Sequence, residues 1–129
     1  MITPESRRKL YTVLLAVWGG TILVLTLMPA PKAEPLPFPG WDKVEHAVAF
    51  GALAWCAGRF LVVYGKCVRR CWLWAFCATV TYGALIEVAQ ATLTTTRTAE
   101  LGDLVADAVG AGLVCLLASR KGTAGNREA

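Results

Sequence analysis

The chain has 129 residues, enough for one domain, and its composition excludes an ordinary soluble one. Hydrophobic residues make up 56% and charged residues 17%, against roughly 45–50% and 25% in soluble domains. The net charge of +4 calls for no nucleic-acid partner, because basic residues beside membrane spans set topology and attract anionic lipid headgroups.

The apolar residues fall in four blocks, 10–28, 47–64, 71–91 and 104–119. Each is near the roughly 17–25 residues that cross a hydrocarbon core about 30 Å thick. The fourth reaches full length when it starts near Ala99 and takes in two further acids, Glu100 and Asp103. The predicted fold is therefore all-α, a four-helix transmembrane bundle with spans at about 10–28, 46–64, 71–91 and 99–119. Its transmembrane domain covers 10–121, between an N-terminal tail (1–9) and a disordered C-terminal tail (122–129). A cleaved signal peptide is a poor reading of the first block. Nineteen apolar residues exceed the usual h-region of about 7–15, and no A-x-A site precedes the prolines at 29, 31, 35, 37 and 39.

Basic residues resist translocation and so report orientation. Arg7, Arg8, Lys9, Lys66, Arg69, Arg70, Arg120, Lys121 and Arg127 lie on one side of the four spans. The opposite connectors hold Lys32, Lys43 and Arg97, offset by Glu34, Asp42, Glu45 and Glu100. Both termini are thus predicted to be cytoplasmic. Arg59, about one turn inside the second span, is expected to snorkel to the headgroups. The proline-rich connector leads to Trp41 at the outer interface, and Trp72 and Trp74 mark the inner one. Of five cysteines, Cys56, Cys77 and Cys115 lie in spans as small hydrophobes, while Cys67 and Cys71 flank a connector in a reducing compartment.

Part of the polar content reads as helix capping. Asp42 and Glu45 resemble a capping box for the second span. Thr98 is the predicted N-cap of the fourth, with Glu100 and Asp103 in its first turn. Other polar groups sit within the apolar runs, where ionisable side chains are costly and usually functional. Gly83, Glu87, Gln90 and Thr94 form one helical stripe in the third span; Asp103, Asp107 and Gly110 form another in the fourth. Asp42, His46 and Ala49 share a side of the second. All three stripes lie in the outer third of the bilayer, beneath Arg97. Facing one another is the cheapest way to bury them, which predicts an aqueous pocket walled by spans two, three and four. Alternatively the groups only pair, Arg97 with Asp103 and His46 with Glu87, and lock the bundle. Small-residue ridges at Ala47/Gly51, Ala54/Gly58 and Ala106/Gly110 permit close helix approach.

Asp42-Lys43-x-x-His46-x-x-x-Phe50-Gly51, Gly83-x-x-x-Glu87-x-x-Gln90, Arg97 and Asp103-x-x-x-Asp107-x-x-Gly110 together resemble the VanZ-like family. These are small four-span bacterial membrane proteins whose founding member is associated with teicoplanin resistance. The resemblance runs from Asp42 to about Gly112, and it implies a bacterial cytoplasmic membrane and a role at the cell envelope. Position 107 departs from the family pattern, which more often has asparagine there.

The resulting binding set is Asp42, Lys43, His46, Glu87, Gln90, Arg97, Asp103 and Asp107. The expected partner is a membrane lipid or lipid-linked envelope precursor, with Arg97 holding a phosphate or carboxylate. Were the site an enzyme, His46, Glu87 and Asp103 would be its catalytic candidates, with Glu87 as acid and His46 as base. Asp42, His46, Glu87 and Asp103 carry donor atoms suited to a divalent ion. No spacing matches a metal signature, so neither metal nor cofactor is expected. A transporter reading ranks last, because the acids lie far from the bilayer midplane.

Overall fold

The computed structural model describes residues 3–29, 38–65, 67–96 and 98–124, without the side chains of 122–124. Among them are four helices and no strand: α1 (Pro4–Leu27), α2 (Trp41–Tyr64), α3 (Val68–Leu93) and α4 (Leu101–Ala124). At 1.5 Å per residue, 24 to 26 residues extend about 36–39 Å. All four are long and apolar enough to cross a membrane. The chain is a four-helix bundle of the multi-pass membrane type.

The helices overrun the apolar blocks, and local chemistry at each end says why. Residues 4–9, ahead of the first apolar block, are the first turns of α1. Thr3 Oγ1 accepts from the Ser6 N–H at 3.2 Å, Pro4 opens the helix, and Glu5 pairs with Lys9 one turn on at 2.8 Å. α2 starts at Trp41 because Gly40, at φ +84°, turns the chain immediately before it. No capping box forms there. Asp42 instead pairs with Lys43 at 2.7 Å, and Glu45 accepts from the Trp41 indole N–H at 2.6 Å. α4 starts at Leu101, and the Glu100 carbonyl accepts from the amides of Asp103 (3.0 Å) and Leu104 (3.5 Å). The cap is therefore Glu100, two residues beyond Thr98. At the other end α4 continues to Ala124, into the stretch read as a disordered tail, with Lys121 favourably placed near its negative pole. Residues 125–129 lie outside the described ones.

Large apolar side chains point outward and small or polar ones inward, as helix association in lipid requires. Trp74, Leu93, Val48 and Leu113 are 58–75% exposed. The parallel helices α2 and α4 meet along a glycine seam. A Cβ on Gly51 would stand 3.3 Å from the Gly110 carbonyl oxygen, and one on Gly110 would overlap the Ala47 carbonyl. α3 packs against both. Ala54, Ala57, Trp72, Ala75, Ala111 and Cys115 make one apolar cluster; Ile22, Phe50, Leu53 and Ile86 make the other.

α1 buries only Ile22, and polar contacts help to fasten it to its neighbours. Trp18 donates to the Ala49 carbonyl at 3.0 Å and Tyr82 to the Gly19 carbonyl at 2.7 Å. Arg59 does not simply snorkel. Its guanidinium donates to the Tyr11 hydroxyl at 2.9 and 3.2 Å and lies over the Tyr11 ring, tying α2 to α1.

Trp72 is likewise packed inside the bundle. It is 4% exposed, and its ring fills the space where Gly58 has no side chain. Trp74, two positions on, is 66% exposed. Cys71 is buried too, its thiol donating to the Leu61 carbonyl at 3.4 Å. Gly58→Ala would set a methyl group inside the Trp72 ring. It is expected to destabilise the bundle by about 1–3 kcal/mol, the usual cost of overpacking, read as a lower melting temperature in mild detergent.

Candidate functional site

The N-terminal turns of α2 and α4 and the C-terminal turns of α3 share one end of the bundle, opposite the end that carries both termini. Their polar stripes converge there. The Lys43 ammonium sits among three carboxylates, at 2.7 Å from Asp42 and from Glu100, and hydrogen-bonded to Asp103. One turn deeper, His46 Nδ1 lies 2.9 Å from Asp107 Oδ1, and its Nε2 lies 3.6 Å from Asp103 Oδ2. Asp107 is 1% exposed. It fits because Gly83 on α3 has no side chain: a Cβ there would press on Asp107 Oδ2 and on the Phe50 ring. Phe50, one turn beyond His46, stacks parallel to the imidazole with centroids 6.1 Å apart. Glu87 Oε2 accepts from the Glu100 backbone N–H at 2.8 Å, clipping the end of α3 to the start of α4. Gln90 donates to the Thr26 carbonyl of α1 at 3.1 Å.

Of the two pairings of the locked-bundle alternative, His46 with Glu87 is replaced, and Arg97 with Asp103 falls partly outside the described residues. Asp103 is bonded to Lys43, and Arg97 lies outside the described residues. His46 turns to Asp107 and Asp103, not to Glu87. A parallel α2–α4 seam puts residues 43 and 46 beside 103 and 107, and α3 meets the cluster from behind. Among the described residues the α3 members are packed in and do not line open space: Glu87 is 9% and Gln90 4% exposed. Three buried polar atoms have no hydrogen-bond partner among the described residues: Glu87 Oε1, Gln90 Oε1 and Thr79 Oγ1. The first two are acceptors one turn apart on α3. Unpaired buried acceptors are rare and costly, so they call for a donor.

Sequence reasoning left Glu100 out of the site, although it contacts both Lys43 and Glu87. Its place three residues before Asp103 was the available signal. Thr79, one turn before Gly83 on the same stripe, was missed as well.

Comparison with protein-family models, curated proteins and solved structures finds no match to this chain.

The chemistry must therefore be read from the geometry. Of the four residues with suitable metal donors, Asp42 and Asp103 do gather, but with Glu100 in place of His46 and Glu87. Their ligand atoms lie within 4.8 Å of one another, and the Lys43 ammonium already serves as the cation there. The His46–Asp107 pair fixes the imidazole's orientation in the manner of a catalytic carboxylate–histidine pair. The other ring nitrogen faces a second carboxylate, that of Asp103.

Beside the cluster, between α2 and α4, runs a groove of about 750 Å³ that faces outward from the bundle. Lys43 and Gly102 form its polar end; Ala47, Gly51, Ala106 and Gly110 form its floor. It follows α4 from Gly102 to Val114, about 18 Å at 1.5 Å per residue.

Proposed function

We propose that this chain is a VanZ-like protein of the bacterial cytoplasmic membrane that engages an amphiphilic envelope component, a lipid or lipid-linked precursor. The head of that molecule meets the polar cluster, and its chain lies in the α2–α4 groove. The observation that carries the proposal is the double membership of Lys43, whose ammonium belongs to the carboxylate cluster while its stem lines the apolar groove. A polar site opening onto an apolar channel matches a molecule with a polar head and an acyl tail. Charge refines the head. Asp42, Glu45, Glu87, Glu100, Asp103 and Asp107 stand against Lys43, His46 and Arg97 in this part of the sequence. That balance disfavours a bare anion and favours a head rich in hydroxyl or amine donors. The positive-inside pattern puts this end on the outer face, where such precursors are displayed.

The test is a purification in mild detergent with native lipid, followed by mass spectrometry of the lipids retained. Val109 lines the groove and is 54% exposed, so Val109→Trp obstructs the groove without entering the core. It is expected to lower the retained amphiphile about tenfold, equivalent to ~1.4 kcal/mol, with unchanged melting. Undiminished retention sinks the proposal. The accompanying link to glycopeptide tolerance is tested separately, by whether expression shifts teicoplanin susceptibility in a bacterial host.

A second reading, a purely structural lock, is favoured by how fully Lys43 and His46 are paired within the bundle. It differs in its expectation for Glu87→Gln. A lock predicts lower stability with no change in bound lipid, whereas a binding site predicts the reverse.

A further inference from the structure

We infer that the end of the bundle carrying the termini holds a second lipid site, for an anionic phospholipid, in the groove between α3 and α4. This groove encloses about 790 Å³. Its walls are Trp72, Phe76, Gly112 and Leu116, and its head is formed by Arg69 and Arg70 in the first turn of α3. Gly112 hollows the wall, for a Cβ there would just touch the Phe76 ring at 3.5 Å. From Arg69 to Phe76 the groove descends about 10 Å at 1.5 Å per residue, enough to take the upper part of an acyl chain beneath a headgroup.

Three features make the head of this groove a place for an anion. Arg69 and Arg70 are exposed and form no ion pair among the described residues. Guanidinium groups present paired N–H donors that match the oxygens of a phosphate. The N-cap residue of α3, Cys67, offers no side-chain cap, so the positive pole of the helix is left without a side-chain acceptor in the turn that carries Arg69 and Arg70. Little competes for these donors: among the described residues, the one acid at this end is Glu5, which pairs with Lys9. The contrast with the other groove is one of charge. There the single ammonium is surrounded by carboxylates; here two guanidinium groups stand unneutralised above an apolar channel. An anionic phospholipid supplies both the phosphate and the chain, and basic pockets between helices at the positive face bind such headgroups.

Basic residues at this end would attract anionic lipid even without a groove, so the experiment separates a seated lipid from a diffuse attraction. The full-length protein in detergent is titrated with dioleoylphosphatidylglycerol or dioleoylphosphatidylcholine, and the lipids retained are counted by native mass spectrometry. Wild type is expected to retain phosphatidylglycerol about tenfold more strongly than phosphatidylcholine, a ratio equivalent to ~1.4 kcal/mol. Arg69→Gln with Arg70→Gln should abolish that preference. Gly112→Leu, which fills the groove and leaves every charge, should abolish retention of the seated lipid; Leu116→Trp at the exposed rim serves should that variant not fold. The charge-matched control, Arg7→Gln with Arg8→Gln on α1, should behave as wild type. The inference is overturned if the control loses the preference as fully as the α3 variant, if both groove-filling variants retain lipid unchanged, or if wild type does not distinguish the two lipids.

Discussion

Gly110→Leu is expected to prevent the bundle from assembling, and Gly110→Ala to weaken it severely. The reason is the α2–α4 seam. A Cβ on Gly110 would fall on the carbonyl group of Ala47, and the atoms in its way are backbone, which no rotamer change can move aside. Overpacking a core typically costs about 1–3 kcal/mol when side chains can yield. Here the helices themselves must separate, which would break the register that sets Lys43 and His46 beside Asp103 and Asp107. Alanine is therefore expected at the upper end of that range and leucine beyond it. Gly20 offers the internal control, because it is exposed on α1 and a Cβ there meets nothing within 4 Å. Gly20→Ala should be neutral or stabilise by up to about 0.5–1 kcal/mol, since glycine is the poorer helix former. Thermal melting of the three variants in the same detergent checks the set. Equal melting of Gly110→Ala and wild type would mean that the two helices are not held backbone to backbone.

The second large effect is expected at Asp107. Replacement by alanine removes the oxygen that holds His46 at 2.9 Å and empties the space behind Gly83. Two magnitudes bracket the loss. Interhelical hydrogen bonds in membranes average roughly 0.6 kcal/mol, with a maximum near 1.7. Leaving a buried hydrogen-bonding group without its partner costs about 1–3 kcal/mol. Asp107 is 1% exposed, and the groups left behind cannot reach water easily, so a loss of about 3 kcal/mol, the upper end of the second range, is expected. Asparagine keeps a carbonyl oxygen in the same position and can still accept from the imidazole. Asp107→Asn should therefore stay within about 1 kcal/mol of wild type, in the range of a single membrane hydrogen bond. Unfolding of the two variants by denaturant, compared directly, measures the gap. If alanine is tolerated as well as asparagine, the His46–Asp107 contact contributes little and the cluster is loosely held. The asparagine variant also bears on the proposed kinship, because the VanZ-like pattern more often carries an amide there.

Much of this architecture was legible before any coordinates. Crossing a membrane depends on the summed hydropathy of about 20 consecutive residues, a local property, and four such runs are plain in the chain. Stripes are equally local: a period of 3.6 residues puts Gly83, Glu87 and Gln90 on one face and Asp103 and Asp107 on another, whatever surrounds them. Glycine and alanine at four-residue spacing marked surfaces that could approach closely. Hence most polar candidates of α2, α3 and α4 were named, Glu100 and Thr79 excepted, while Arg97 falls outside the described residues.

Partners were another matter, because a stripe says which way residues face and not what they meet. Lys43 entering a ring of three acids, His46 turning to Asp107 instead of Glu87, and Glu100 bridging α3 and α4 all follow from one fact of packing. α2 and α4 run parallel in contact, in a register set where Gly110 lies against Ala47. The burial of Trp72 has the same origin, since Gly58 makes room for the ring only once α2 and α3 are docked. Hydrophobicity and periodicity are carried by each helix alone, so the chain's composition was sufficient for the spans and their polar faces. Register and pairing depend on atoms from two helices at once, and those were decided when the glycine seams closed.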